Sequence, residues 1–117
     1  YKRKITTPYD PKFFRTKGHH SNLYFGASIN ALISLLSKKN YTLIGTGMQG
    51  GNAFFVKNSL MTDRLKTLAE NPFCFNFNWR ESRDVNGKLN FLRSENRYNE
   101  IKGMKVLNIE NGNLEEL

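Results

Sequence analysis

Between Leu23 and Lys57 the apolar positions change their period from helical to extended. Ile29, Leu32, Ile33 and Leu36 recur at i, i+3, i+4 and i+7, which predicts a helix over about Gly26 to Lys39 with one buried face. Lys38 and Lys39 stand at its end, where the helix dipole favours cations, and Asn40 suits a left-handed cap. Tyr41–Thr46 and Ala53–Lys57 then read as strands. The connection Gly47-Met48-Gln49-Gly50-Gly51-Asn52 is short enough to predict an antiparallel pair. Phe54, Phe55 and Val56 are consecutive, as in a strand covered on both faces. This stretch holds most of the apolar residues available for a core.

The flanks are patchier. Pro8 and Pro11 bracket Tyr9-Asp10 in a shaped loop, entered from a short strand near Arg3–Thr6 and closed by His19-His20. Downstream, Leu60, Met61, Leu65 and Leu68 mark a second helix, about Leu60 to Glu70, which Asn71-Pro72 stops. Phe73, Phe75, Phe77 and Trp79 alternate with polar residues, the pattern of an extended segment with one aromatic packing face. Asp84-Val85-Asn86-Gly87-Lys88 is a turn signal, with Leu89–Leu92 pairing back across it. Ser94 reads as the N-cap of a short helix over Glu95–Lys102 that ends at Gly103. Met104–Ile109 alternates weakly, as a last strand, and Glu110 to Leu117 is expected to fray.

Composition narrows the class. A chain of 117 residues suggests one small soluble domain, and no segment approaches the ~20 apolar residues that span a bilayer. The basic start leads into no apolar signal segment, and the single cysteine, Cys74, excludes an internal disulfide. A cytoplasmic location follows as the default, with no membrane partner. The net charge is +8, and six of the 18 basic residues (Lys2, Arg3, Lys4, Lys12, Arg15 and Lys17) fall in the first 17 positions. Such an arm suits nucleic acid, anionic lipid or a phosphorylated ligand, although a solvated face is the commoner outcome. The chain opens at Tyr1 without an initiator Met, which reads as a piece of a longer protein.

Gly45-Thr46-Gly47-Met48-Gln49-Gly50 matches the G-x-G-x-x-G pattern of dinucleotide sites. That motif works by starting a helix whose N-terminus meets the pyrophosphate. Here Gly51-Asn52 leads into a strand, so a tight turn is the better reading. His19-His20 offers a general base or a substrate contact, and Asp10 is the nearest acid in sequence. Adjacent histidines rarely hold one metal together, and no metal site is expected. The aromatics from Phe73 to Trp79, followed by Arg80 and Arg83, have the ingredients of a base-stacking platform but lack a nucleic-acid motif. Arg80-Glu81-Ser82-Arg83-Asp84 reads as a solvated turn with local ion pairs. Nothing near Cys74 suggests an activated thiol.

Several short motifs go together: Thr7-Pro8-Tyr9-Asp10-Pro11, Phe25-Gly26-Ala27-Ser28 opening the helix, Tyr41-Thr42-Leu43-Ile44-Gly45, and Asn52-Ala53-Phe54-Phe55-Val56. Arg80-Glu81-Ser82-Arg83-Asp84, Asn86-Gly87, Phe91-Leu92 and Ile101-Lys102-Gly103 follow in the tail. Over nearly its whole length the chain resembles the C-terminal half of a bacterial methyltransferase-like family related to class I S-adenosylmethionine-dependent methyltransferases. It departs from the family at Lys39-Asn40-Tyr41, where Lys-Gly-Tyr is usual, at Lys57, where arginine is common, and in the unusually aromatic Phe73–Trp79.

The resemblance implies an α/β fold: the C-terminal part of a Rossmann-like methyltransferase sheet, with a crossover helix, the antiparallel last two strands and an irregular α+β tail. Residues 1–59 would belong to the methyltransferase-like domain, and residues 60–117 would pack on it as helix, aromatic segment and tail. The Pro8–Pro11 loop would then lie beside the acceptor pocket. That makes His19, His20 and Asp10 candidate catalytic residues, and Tyr9 and Asn52 candidate substrate contacts. S-adenosylmethionine would be bound mainly upstream of this chain, in the missing N-terminal half of the domain, and the acceptor would be a small molecule or glycan precursor. Exposure of Phe54, Phe55 and Ile33 in the isolated piece would favour a homo-oligomer. A basic nucleic-acid-binding module and a noncatalytic interaction domain are the rival readings; of these partners nucleic acid is the least expected.

Overall fold

A computed structural model describes residues 3–75 and 81–117. Phe77, Trp79 and Arg80, on which part of the aromatic-strand reading falls, lie outside them. The chain is mixed α/β with two small antiparallel sheets. It forms two compact units, Tyr1–Ala31 with Arg80–Leu117, and Leu32–Trp79. Among the described residues no helix is long and apolar enough to cross a membrane.

The second unit holds the feature most legible in the sequence. Strands β2 (Tyr41–Thr46) and β3 (Ala53–Lys57) pair antiparallel, from Tyr41 opposite Lys57 to Thr46 opposite Ala53. Gly47 N–H donates to Asn52 O and Gly50 N–H to Gly47 O, so the glycine segment is a hairpin turn. The register slips between Leu43 and Gly45. Gly45 sits at φ +151°, and a Cβ there would lie 3.3 Å from the Phe73 carbonyl oxygen. Glycine is needed on both counts: the backbone angle is unfavourable for other residues, and a neighbouring chain passes close. That neighbour is the Phe73 backbone, which bridges Gly45 in parallel and accepts Thr46 N–H. Helix α3 (Asp63–Glu70) packs on β2 and is capped by Thr62, whose hydroxyl accepts Leu65 N–H. Helix α2 (Ile29–Ser37), which belongs to this unit from Leu32 onward, is followed by a turn that closes at Asn40, at the left-handed φ of 61°.

The first unit is built on its central strand. Here β4 (Lys105–Asn108) pairs antiparallel with β1 (Ile5–Thr6) on one side and β5 (Leu114–Glu116) on the other. Beyond β1, Thr7 N–H donates to Gly26 O and Ser28 N–H to Ile5 O, so the segment before α2 extends the sheet. Ile5, Tyr24 and Val106 form the buried cluster, with Phe13, Ile101, Met104 and Leu117 packed around it. Burial raises the pKa of the Tyr24 phenol, whose hydroxyl donates to Lys105 O. Helix α4 (Ser94–Glu100) precedes β4 and is followed by Gly103 at φ +86°.

Several expectations are corrected. The main cluster lies where β1, Tyr24 and β4 meet, so only Tyr24 of its three buried residues comes from 23–57, and Phe54 is 53% exposed. Helix α2 starts at Ile29 rather than Gly26, because Gly26–Ser28 is committed to β1 and the Ser28 hydroxyl accepts Ala31 N–H. Leu60 belongs to a 3-10 turn, Asn58–Leu60, and is exposed rather than on the apolar side of α3. Phe73 is 71% exposed, so no aromatic packing face forms at that residue. Arg93 takes the N-cap position of α4 that Ser94 was expected to fill. Leu89–Leu92 does pair back across the 84–88 turn, through the Leu89–Arg83 bridge and Asn90 N–H to Ser82 O, although no regular strand forms there.

The tail does not fray. Strand β5 pairs with β4, Leu117 N–H donates to Met104 O, and Leu117 packs on the core. Glu115 accepts hydrogen bonds from Asn108 and Arg3, in that order of effect, which hold its carboxyl below the usual carboxylate range. A core closed by the two chain ends makes a quantitative demand. Ile5→Ala should cost about 2–4 kcal/mol in urea unfolding. Leu114→Ala, on the exposed side of β5, should stay within about 0.5 kcal/mol of the parent.

Candidate functional site

The loop before α2 is shaped by two buried serines. After the single helical turn α1 (Arg15–Gly18), His19 is extended and Asn22 takes a left-handed φ of 60°. Asn22 N–H donates to His19 O and closes a turn over His20 and Ser21. Ser21 is fully buried, and its Oγ accepts Leu23 N–H at 3.3 Å. Its carbonyl accepts Arg83 N–H, which ties the loop to the 81–92 segment. Ser82 is fully buried as well. Its Oγ accepts Leu92 N–H at 2.6 Å and donates to Asn90 Oδ1. The expected solvated turn therefore has a buried hub at its centre. Arg83 donates to Gly87 O, and the Asp84 carboxylate accepts Asn86 and Lys88 N–H, so these two charged side chains close a local turn.

The two histidine rings meet on this frame. Their centroids are 4.1 Å apart at an interplanar angle of 37°. His19 Nδ1 lies 2.8 Å from Ser21 Oγ and receives Ser21 N–H at 3.3 Å. His20 Nε2 lies 2.8 Å from Glu100 Oε1, at the end of α4 and 80 residues away in sequence. The pair is partly open to solvent, with the His20 and Glu100 side chains 36% and 28% exposed. Glu100 is the functional candidate that sequence reasoning missed. It is one acid in a short polar helix, and no local spacing connects it with His20.

The other candidates fall elsewhere. The Asp10 carboxylate accepts Lys12 N–H at 2.8 Å and its carbonyl accepts Phe13 N–H, so it shapes the proline loop. Among the described residues no hydrogen bond or ion pair joins Asp10 to either histidine. Tyr9 is 89% exposed. Asn52 belongs to the second unit, where it lines a surface hollow of about 370 Å³ with Gly47, Met48, Gln49 and Gly51. Among the described residues no helix opens at that hollow, so it lacks the helix N-terminus on which the dinucleotide motif relies. Among the described residues no group of three His, Cys, Asp or Glu side chains is arranged to hold a metal ion.

The basic arm is partly committed internally. Arg3 and Lys4 pair with Glu115 and Glu110. Arg15 donates to Asn22 O and lies 4.7 Å above the Phe25 ring.

The sequence matches no family model and no curated protein, and the fold matches no solved structure.

His19 gives the site a pH signature. Burial first, and then the neighbouring His20 ring, lower its pKa below 6.5, against an opposing pull from Glu100. The folded state therefore takes up this proton at lower pH than the unfolded chain. The associated stability is complete above about 6.5 and is lost as pH falls from there through the folded value. An NMR titration should place the His19 midpoint below 6.5, and His19→Gln should flatten the decline of the urea midpoint with acidification. A His19 midpoint at or above 6.5 would contradict this account of its surroundings.

Proposed function

We propose that this chain is the acceptor-side, C-terminal part of a class I S-adenosylmethionine-dependent methyltransferase-like protein, acting on a small molecule or glycan precursor. One observation carries the reading. The loop that the family resemblance puts beside the acceptor pocket ends in two histidines whose tilted rings are in contact, one of them paired with a carboxylate. An imidazole held by a carboxylate is a common general base, and methylation of a hydroxyl releases a proton that such a base can take. The succession of α2 and the antiparallel pair β2–β3 supports the Rossmann-like placement, in which they are the crossover helix and the last two strands.

The glycine loop does not fit the methyl donor, because it closes a hairpin and opens no helix. On this reading S-adenosylmethionine is held by residues upstream of Tyr1. The reading as a nucleic-acid module has less support, since three cations of the arm (Arg3, Lys4 and Arg15) are engaged within the fold.

Titration calorimetry with S-adenosylmethionine separates the possibilities. The full-length protein should bind it and the 117-residue chain alone should not. In the full-length protein His20→Gln should lower methyl transfer by about 10²-fold or more with donor affinity unchanged. Failure of the full-length protein to bind S-adenosylmethionine would overturn the proposal.

A further inference from the structure

The hydrogen bonds around the two histidines fix which nitrogen of each ring carries the proton. The Ser21 backbone N–H can only donate, so His19 Nδ1 must be the acceptor. Ser21 Oγ already accepts from Leu23 N–H, which leaves its own proton free to point at the same nitrogen. Neutral His19 therefore carries its proton on Nε2. Glu100 presents an acceptor to His20, so His20 Nε2 is the protonated nitrogen, and in the neutral ring Nδ1 keeps its lone pair. His19 Nε2–H and His20 Nδ1 have no hydrogen-bond partner among the described residues. One ring offers a spare donor and its neighbour a spare acceptor, with the ring centroids 4.1 Å apart.

We infer that His19 and His20 form a two-point site for a neutral hydroxyl of a polyol or sugar: His20 Nδ1 accepts the hydroxyl proton in a hydrogen bond, and His19 Nε2–H donates to the hydroxyl oxygen or its vicinal neighbour. An alcohol is donor and acceptor at once, which is what this pair complements. An anion is acceptor-only and leaves the His20 lone pair facing negative charge. Glu100 acts through His20, as a positioning residue that selects the tautomer, and Ser21 does the same for His19. The tautomers stand on the hydrogen bonds alone. The choice of a hydroxyl-bearing ligand deepens the methyltransferase reading, since it names the acceptor group, but it does not depend on where the methyl donor is held.

Long-range ¹H–¹⁵N spectra of the full chain test the assignment at pH 7.5, where histidine is mostly neutral. Both rings should be in the Nε2–H form. Glu100→Ala should leave His19 as it was and turn His20 into a mixture of tautomers. Glu100→Gln keeps a carbonyl acceptor and should restore much of the Nε2–H form. An Nδ1–H form of His20 in the parent protein, or a His20 spectrum indifferent to Glu100→Ala in a protein that still gives a folded spectrum, would overturn the inference.

The ligand is probed with methyl α-glucoside and, separately, with inorganic phosphate. The glucoside should shift the His20 Nδ1 and His19 Nε2 resonances, and Glu100→Ala should weaken that binding about five- to tenfold, the worth of one oriented hydrogen bond. Shifts produced by phosphate and not by the glucoside would overturn the hydroxyl site. Because these readouts need no S-adenosylmethionine, failure of the methyltransferase proposal leaves this result standing, and failure here is seen without any activity assay.

Discussion

A serine hydroxyl with no exposure to solvent must find its partners within the protein, and Ser21 is that residue here. Burying a hydroxyl without partners costs on the order of 1–3 kcal/mol. Ser21 avoids the cost by accepting Leu23 N–H and facing His19 Nδ1, while its carbonyl takes Arg83 N–H. Those bonds leave the loop little freedom. They fix the Nδ1 edge of the His19 ring, hold the turn that presents His20, and join a segment near the start of the chain to one more than sixty residues later. Ser82 repeats the device on the other side, with Asn90 and Leu92 as its partners.

The same long-range logic builds the sheet beneath. Strand β4 lies between β1 and β5, so a strand near the beginning and one near the end of the chain share one sheet. The apolar cluster of Ile5, Tyr24 and Val106 is the reason for the pairing, since none of these residues has enough neighbours in its own segment to leave water. Helix α4 runs into β4, which carries Glu100, at the end of α4, to the histidine loop. The site is thus a by-product of chain closure: local turns aim the rings, and the closing sheet delivers the carboxylate.

What could be read beforehand follows the range of the interactions. The hairpin β2–β3 was legible to the residue, because two short apolar runs on either side of a glycine turn are specified within 17 positions. Asn40 and Gly103 were legible for the same reason, as left-handed positions beside helices. The start of α2 was misplaced because Ala27 and Ser28 look helical until β1 claims their backbone; Ser28, an N-cap residue type just before Ile29, was the available signal. His19 and His20 were found from residue type alone, whereas Glu100 was not, since its role exists only across 80 positions. Ser82 was hidden for a related reason: four charged or polar neighbours make a solvated turn the natural reading, and only the fold shows the hydroxyl turned inward. Asp10 and Tyr9 shared the histidine loop in sequence, yet a turn bond to Lys12 and exposure to solvent account for them.

The account stands or falls on Glu100 meeting His20. A nuclear Overhauser measurement on the folded chain reads that contact without reference to any ligand. It predicts cross-peaks between the His20 ring protons and the Glu100 γ-methylene, accompanied by cross-peaks between the His19 and His20 rings. A folded protein that shows the β1–β4–β5 pairing but no His20–Glu100 cross-peak would contradict it.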